Sequence, residues 1–395
     1  MKKTVRDIDV NNKTVIVRCD FNVPLDEDGN ITDDTRIVGA LPTIRYLVDN
    51  NAKIILMSHM GRPKGEPNPE FSLKPVADEL SKQLGKEVLF ESVPEVVNDA
   101  VKQRALELNC GDVMLLENTR FRPEEEENDE DFAMELSSMA DIFVNDAFGA
   151  AHRAHASTAG IADDIPAVSG FLVEKEIEFI GDAIASPKRP FVAILGGAKV
   201  NDKIKVIESL LEKTDTLLIG GGMAFTFLKA QGYEIGNSLL DAESLDLAND
   251  LLKVAKEKDV AVLLAIDVKV GKEFSNDTET AIFDADSIEP GWMGLDIGPK
   301  TIADFSENIR NAGTVLWNGP MGVFEMPTFA DGTRGVAEAL AKSSAISIIG
   351  GGDIAAAVTQ FGLADKMSHV STGGGASLEF IENGCLPCID LLEEK

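Results

Sequence analysis

Short apolar runs recur along the whole chain, separated by longer amphipathic segments, and this alternation constrains the fold more than any other feature. Thr14–Val17, Ile54–Met57, Val113–Leu116 and Ile142–Val144 lie in the first half. Phe191–Leu195, Thr216–Ile219, Val260–Ile266, Thr314–Trp317 and Ile346–Ile349 lie in the second. Strand-length runs alternating with helix-length segments predict repeated βα units and parallel sheets. At 395 residues the chain is about twice the usual domain size, so two domains are expected. Residues 170–180 have helical spacing, and Ser186-Pro187-Lys188-Arg189-Pro190 would end a helix before the next strand. The expected fold is therefore α/β: two domains of mainly parallel sheet flanked by helices, joined by a connecting helix over 169–187.

Charge narrows the function. Lys and Arg number 37 against 67 Asp and Glu, a net charge of −30. That balance disfavours nucleic acid and anionic membranes as partners. A local basic cluster can still hold a small anion, because screening confines the global field to about 8 Å. The opening residues show no apolar signal region, and no stretch reaches the roughly 20 apolar residues that span a bilayer. Four cysteines make no disulfide framework, and a cytoplasmic location is expected. Cys385 and Cys388 form a lone CxxC with no second pair or nearby His, and read as incidental residues of a turn. The acidic run from Glu124 to Asp131 follows Pro123 and reads as a solvated helix start.

Each first-half run ends in polar residues: Arg18-Cys19-Asp20-Phe21-Asn22, Ser58-His59-Met60-Gly61-Arg62, Glu117-Asn118-Thr119-Arg120, and Asn145-Asp146 leading to His152-Arg153-Ala154-His155. In a parallel sheet these ends share one rim, where ligands bind. Nine of the twelve arginines fall within the first 153 residues, several of them at these ends. Guanidinium forks gathered there in so acidic a chain predict a phosphate or carboxylate site.

The second half carries glycines instead, at Gly196-Gly197, Gly220-Gly221-Gly222, Gly350-Gly351-Gly352 and Gly373-Gly374-Gly375, each before a helix-like pattern. Such turns bring backbone close to a ligand and present free N–H groups to phosphate, so a nucleotide site is expected. Neither the P-loop nor the dinucleotide fingerprint occurs. Lys199 and Lys203, four apart at a helix start, would share one face. Asp353 would cap its helix, hold a nucleotide-borne Mg²⁺, or do both.

With these motifs in order, the chain closely resembles the phosphoglycerate kinase family over its whole length. The resemblance rests on Arg18-Cys19-Asp20-Phe21-Asn22-Val23-Pro24, Ser58-His59-Met60-Gly61-Arg62-Pro63, Gly196-Gly197-Ala198-Lys199-Val200, Trp317-Asn318-Gly319-Pro320 and Ser371-Thr372-Gly373-Gly374-Gly375-Ala376-Ser377. It implies a hinge-bending monomer with two Rossmann-like domains facing a cleft, transferring phosphoryl between 1,3-bisphosphoglycerate with MgADP and 3-phosphoglycerate with MgATP. It implies a triose domain over 1–168, with 386–395 packing back on it, and a nucleotide domain over 188–385. The triose site would comprise Asp20, Phe21, Asn22, Arg36, His59, Met60, Gly61, Arg62, Arg120 and Arg153. His59, Arg62, Arg120 and Arg153 would hold the 3-phosphate, and Arg36 would stand at the reacting carboxyl end. The nucleotide site would comprise Gly197, Lys203, Gly221, Gly222, Gly294, Leu295, Asn318, Pro320, Glu325, Gly351, Gly352, Asp353 and Ile354. Arg36, Lys199, Lys203, Gly351 and Gly374 would serve the transfer, and Asp353 the Mg²⁺.

One position departs from the family. Ser or Thr usually follows Gly-Gly-Gly-Asp, and here Ile354 does. Its expected place is the phosphate end of the cleft, contributing only a backbone N–H; the rival place is the helix–sheet interface. A non-catalytic nucleotide-binding module is the alternative function, disfavoured because Arg36, Lys199, Lys203 and Asp353 are all present. A dehydrogenase is disfavoured by the missing fingerprint.

Overall fold

The structure is a computed structural model that describes every residue, Met1–Lys395. The chain forms two compact units, Met1–Glu178 with Cys385–Lys395, and Phe179–Gly384. The division falls inside the segment read as a connecting helix. That segment is helical at Phe171–Glu176, passes through a π-helical turn at Ile177–Gly181, and continues at Asp182–Ala185.

The first unit is built on β1 (Thr14–Cys19), β2 (Lys53–Met57), β3 (Val88–Glu91), β4 (Val113–Leu116), β5 (Ile142–Asp146) and β6 (Ala167–Ser169). Their order is β3-β4-β2-β1-β5-β6, with every pair parallel. Val15, Ile16 and Val17 in β1 are fully buried, which is why this run shows no alternation: helices cover both faces. Each such side chain contributes about 1.5–3 kcal/mol on burial. The chain leaves β1 toward β2 on one side, and β5 lies on the other. This makes the gap between β1 and β5 a topological switch point, where open α/β sheets bind ligands.

The chain end closes the same unit. Lys3 N–H donates to the Glu393 carbonyl at 2.7 Å, and Glu393 N–H to Ala167 at 2.9 Å. Asp146, at the end of β5, accepts from Leu172 N–H at 2.9 Å and so starts the helix Phe171–Glu176. Burial pushes its carboxyl up to about 7.

The acidic run corrects the sequence reading at one residue. It forms the helices Pro123–Glu127 and Glu130–Ser137, the second capped by Asp129. Glu125 is not solvated but fully buried.

The second unit contains β7 (Phe191–Leu195), β8 (Thr216–Ile219), β9 (Glu234–Ile235), β10 (Ala261–Leu263), β11 (Asp267–Gly271), β12 (Thr280–Asp284), β13 (Ser287–Ile288), β14 (Met293–Ile297), β15 (Thr314–Asn318), β16 (Ile346–Gly350) and β17 (His369–Val370). The main sheet runs β10-β8-β7-β15-β16-β17, again all parallel, with its switch point between β7 and β15. A small antiparallel sheet, β12-β11-β14, was not expected from the sequence. The run Val260–Ile266 forms strand only at β10, an edge strand, before the chain turns into β11. The fully buried Trp317 anchors the core, its Nε1–H donating to the Gly319 carbonyl at 2.9 Å. No helix is long and apolar enough to cross a membrane.

Candidate active site in two parts

In the first unit the rim at the β1–β5 switch point gathers the predicted anion-binding residues. Gly61 ties three strand ends together: its N–H donates to Asn22 Oδ1 at 2.9 Å, and its carbonyl accepts from Arg120 Nη1 at 2.8 Å. Asn118 Nδ2 donates to the Met60 carbonyl at 2.7 Å, and Phe21 N–H to Ser58 Oγ at 2.8 Å. Arg36, in the first turn of the helix Thr35–Asp49, pairs with Asp20. Arg120 lies 3.1 Å from Glu126. Arg62 and Arg153 differ from these: both are exposed, Arg62 makes no ion pair, and the Arg153 guanidinium bonds no carboxylate, donating to His152 Nε2 at 3.1 Å. Two guanidinium groups without carboxylate partners on one rim are what an anion would engage.

His59 is buried beside them. Burial, together with the charges of Arg18, Arg120 and Arg36, holds its imidazole well below the usual range, so it is neutral at pH 7. His155 is pushed down to about 4 by burial, Arg120 and Arg18. A neutral imidazole among cations serves an anion as a hydrogen-bond donor.

In the second unit, a cavity of about 540 Å³ opens at the β7–β15 switch point. Its wall includes Gly197, Gly221, Gly222, Gly294 and Pro320, the apolar Phe225, Leu239, Phe274, Met293 and Leu295, and the acidic Asp296, Glu325 and Asp353. That volume suits a nucleotide-sized ligand, with backbone N–H groups for phosphates and apolar walls for a base. Gly196 has to be glycine, since a Cβ would stand 2.0 Å from the Pro320 carbonyl oxygen. Gly351 is at φ 98°, and a Cβ there would meet Asn318 Nδ2 at 2.7 Å. Of the predicted residues, Lys199, Lys203, Asn318, Gly351, Gly352, Ile354 and Gly374 do not line this cavity; Gly352 and Gly374 stand at the starts of the helices Gly352–Gln360 and Gly375–Asn383.

Lys203 bonds Asn318 Oδ1, while Asn318 Nδ2 donates to the Gly350 carbonyl at 2.6 Å. The lysine thus ties the 3₁₀ turn Asn201–Lys203 to the end of β15, and Asn318 carries the link on to the end of β16. Burial pushes its ammonium down to about 8, opposed by Asp353 and Asp202. Lys199 does not share its face. Residues Asn201–Lys203 form a 3₁₀ turn before the helix Ile204–Leu211, so a helical i, i+4 relation does not hold, and Lys199 is exposed. Asp353 is exposed and makes no capping bond, so the capping reading fails.

The expected placement of Ile354 is corrected as well. Its side chain is fully buried in the core cluster that includes Trp317 and Ile349. We expect Ile354→Thr to lower stability by about 1–3 kcal/mol, because a hydroxyl would replace buried hydrocarbon. ADP affinity should stay unchanged. A urea midpoint equal to the unsubstituted chain, or tighter ADP binding, would contradict this.

The apolar residues Phe225, Leu239, Phe274 and Met293 escaped the sequence reading, since nothing in their pattern separates a base-facing side chain from a core one.

A rim of guanidinium groups in one α/β unit, and glycine turns with a half-buried lysine in another, define a class: enzymes that move a phosphoryl group by position and charge. The comparisons specify which. The phosphoglycerate kinase family model matches residues 5–384. The phosphoglycerate kinase of Clostridium perfringens is 58% identical over 395 residues, covering 100% of this chain and 99% of the relative. The structure of phosphoglycerate kinase from Coxiella burnetii superposes with TM-score 0.92 at 44% identity, covering 99% of this chain and 98% of that one. That from Pyrococcus horikoshii does so with TM-score 0.83 at 34% identity, with the same coverages. The chain belongs to the phosphoglycerate kinase family, phosphotransferases with a carboxyl group as acceptor.

Proposed function

We propose that the two parts divide the reaction between them: the arginine rim binds 3-phosphoglycerate or 1,3-bisphosphoglycerate, and the glycine-turn cavity binds ADP or ATP. The observation that carries this is the position of Lys203. It bonds Asn318 at the end of β15 and lies against Gly197, a residue of the cavity wall, so its ammonium stands beside a glycine turn where a terminal phosphate would bind.

The substrate carboxylate is ionised at pH 7 and needs no general base to become a nucleophile. Its attack on the γ-phosphorus forms the acyl phosphate as the bond to the ADP oxygen breaks; the reverse reaction retraces this path. His59, Arg62, Arg120 and Arg153 bind the distant 3-phosphate, Asp20 and Asn22 the hydroxyl and carboxylate region, and Arg36 the reacting end. Lys203, charged below pH 8, neutralises the moving phosphoryl group, and exposed Lys199 adds a second cation. The backbone N–H groups after Gly351 and Gly374 would steady phosphate oxygens, and that of Ile354 remains a candidate donor.

No cluster of three or more metal-ligating side chains exists. Of the three carboxylates lining the cavity, Asp296 is buried and accepts from Gly332 and Ile297 N–H, Glu325 lies elsewhere in the sequence, and Asp353 is the one that follows a glycine turn. That suits Mg²⁺ held mainly by nucleotide phosphates and one carboxylate. When bound, the ion neutralises phosphate charge. With the ligands on separate units, transfer requires a hinge motion that brings them together and excludes water. A cytoplasmic monomer completes this reading.

Asp353→Asn should weaken ADP binding by about tenfold in the presence of Mg²⁺ and little in its absence, as measured by calorimetry. Equal weakening under both conditions would remove Asp353 from the metal.

A further inference from the structure

Behind the arginine rim lies a buried polar cluster to which neither substrate is assigned. Glu125 and Arg18 are both fully buried, although one comes from an acidic run and the other from an apolar strand. Glu125 accepts from Ser157 N–H at 2.9 Å, Ser157 O–H at 2.5 Å and Thr119 O–H at 3.1 Å. Its backbone carbonyl also accepts from Ala156 N–H at 3.0 Å. One acidic side chain thus joins the turn bearing Arg120 to the loop bearing Arg153 and His155. Arg18 Nε donates to the same Ser157 oxygen at 2.8 Å, and its Nη2 lies 4.0 Å from Glu125. Its Nη2 also meets His59 Nδ1 at 3.2 Å.

The last contact decides a proton. A guanidinium has five donors and no acceptor, so the imidazole nitrogen facing it has to offer a lone pair. A neutral His59 then carries its single proton on Nε2, which bonds no protein group. Were the proton on Nδ1, two donors would face each other in a buried site, and the ring would offer the rim a lone pair instead of an N–H.

We propose that Arg18 and Glu125 are positioning residues of the anion site: Glu125 fixes Arg18, and Arg18 fixes His59 in the tautomer whose Nε2–H is presented to the anion. Neither touches the substrate. Both act through His59 and the loops they tie together. The proposal rests on the reading of the arginine rim as the triose phosphate site, and its test separates the two.

Nitrogen-15 NMR of the whole protein at pH 7, with no substrate added, reads the tautomer directly. A protonated Nε2 and an unprotonated Nδ1 are expected for His59. A protonated Nδ1, or both nitrogens protonated, would overturn the proposal whatever the rim binds. Arg18→Met combined with Glu125→Gln removes the pair without stranding a buried charge. It should give a mixture of His59 tautomers and raise the KM for 3-phosphoglycerate about tenfold, with a much smaller change in kcat. Arg18→Lys, still a pure donor, should restore the single tautomer and recover part of the KM, and it keeps the proposal testable if the double variant does not fold. A double variant with one Nε2–H tautomer and an unchanged KM would refute the positioning role. An Nε2–H tautomer in the native chain combined with His59→Ala that binds 3-phosphoglycerate normally would leave the tautomer intact and refute the assignment of the rim.

Discussion

Lys203→Ala is expected to lower kcat by on the order of 10²-fold or more, while the KM for 3-phosphoglycerate changes little. The lysine is held by Asn318 at the glycine end of the cavity, so its charge is already in place before the phosphoryl group moves. A preorganised cation of this kind acts on charge that develops in the transition state, which is why kcat should fall more than substrate binding. The pH profile carries a second signature. With its ammonium pushed down to about 8, Lys203 loses its proton as pH rises through that value, and kcat of the native chain should fall with it. Stability runs the other way. Between about 8 and the ordinary lysine value of 10.5, the unfolded state holds the proton and the folded state does not. Folding stability from this group therefore rises with pH across that window, and the cost of burying the ammonium is greatest below it. A variant with normal kcat, or a native profile flat through pH 8, would take Lys203 out of the transfer step.

Arg62→Ala and Arg153→Ala should each weaken 3-phosphoglycerate binding by about 10- to 100-fold, the loss of a charge-assisted and partly bidentate contact. These two are chosen because the structure leaves them without carboxylate partners, whereas Arg36 and Arg120 already face Asp20 and Glu126. Removing Arg36 would strand Asp20 and mix two effects; removing Arg62 strands nothing. ADP affinity should stay within about twofold in both variants, because every lining residue of the nucleotide cavity belongs to the second unit. Calorimetric titration with each ligand separately measures this. Loss of ADP binding would undo the division of labour.

The strands that carry the sites were the legible ones. Central strands such as β1 and β15 are buried on both faces and appear as unbroken apolar runs, and their ends hold Arg18, Asp20, Asn318 and Gly319. The strands that escaped are short or at an edge. Ala167–Ser169 is three residues long, and β12 alternates exposed Ile282 with half-buried neighbours on a sheet that has no βα rhythm. At the site, residue type was readable and direction was not. Lys199 and Lys203 look equivalent in sequence, yet a 3₁₀ turn sends one to solvent and the other to Asn318. Ile354 follows Asp353 by one residue and points into the core, because successive positions at a helix start face different ways. Glu125 was the least visible. Six of the other seven residues in the run Glu124–Asp131 are acidic, and only the fold shows that Ser157 and Thr119 surround this one.

The central claim is that a carboxylate held on the first unit takes a phosphoryl group from a nucleotide held on the second. The most direct measurement incubates the chain with MgATP, 3-phosphoglycerate and hydroxylamine, and counts hydroxamate against ADP. One hydroxamate per ADP is expected, with ADP formation falling to background when 3-phosphoglycerate is omitted. ADP released without hydroxamate would mean that water, not the carboxylate, receives the phosphoryl group, and would contradict the account.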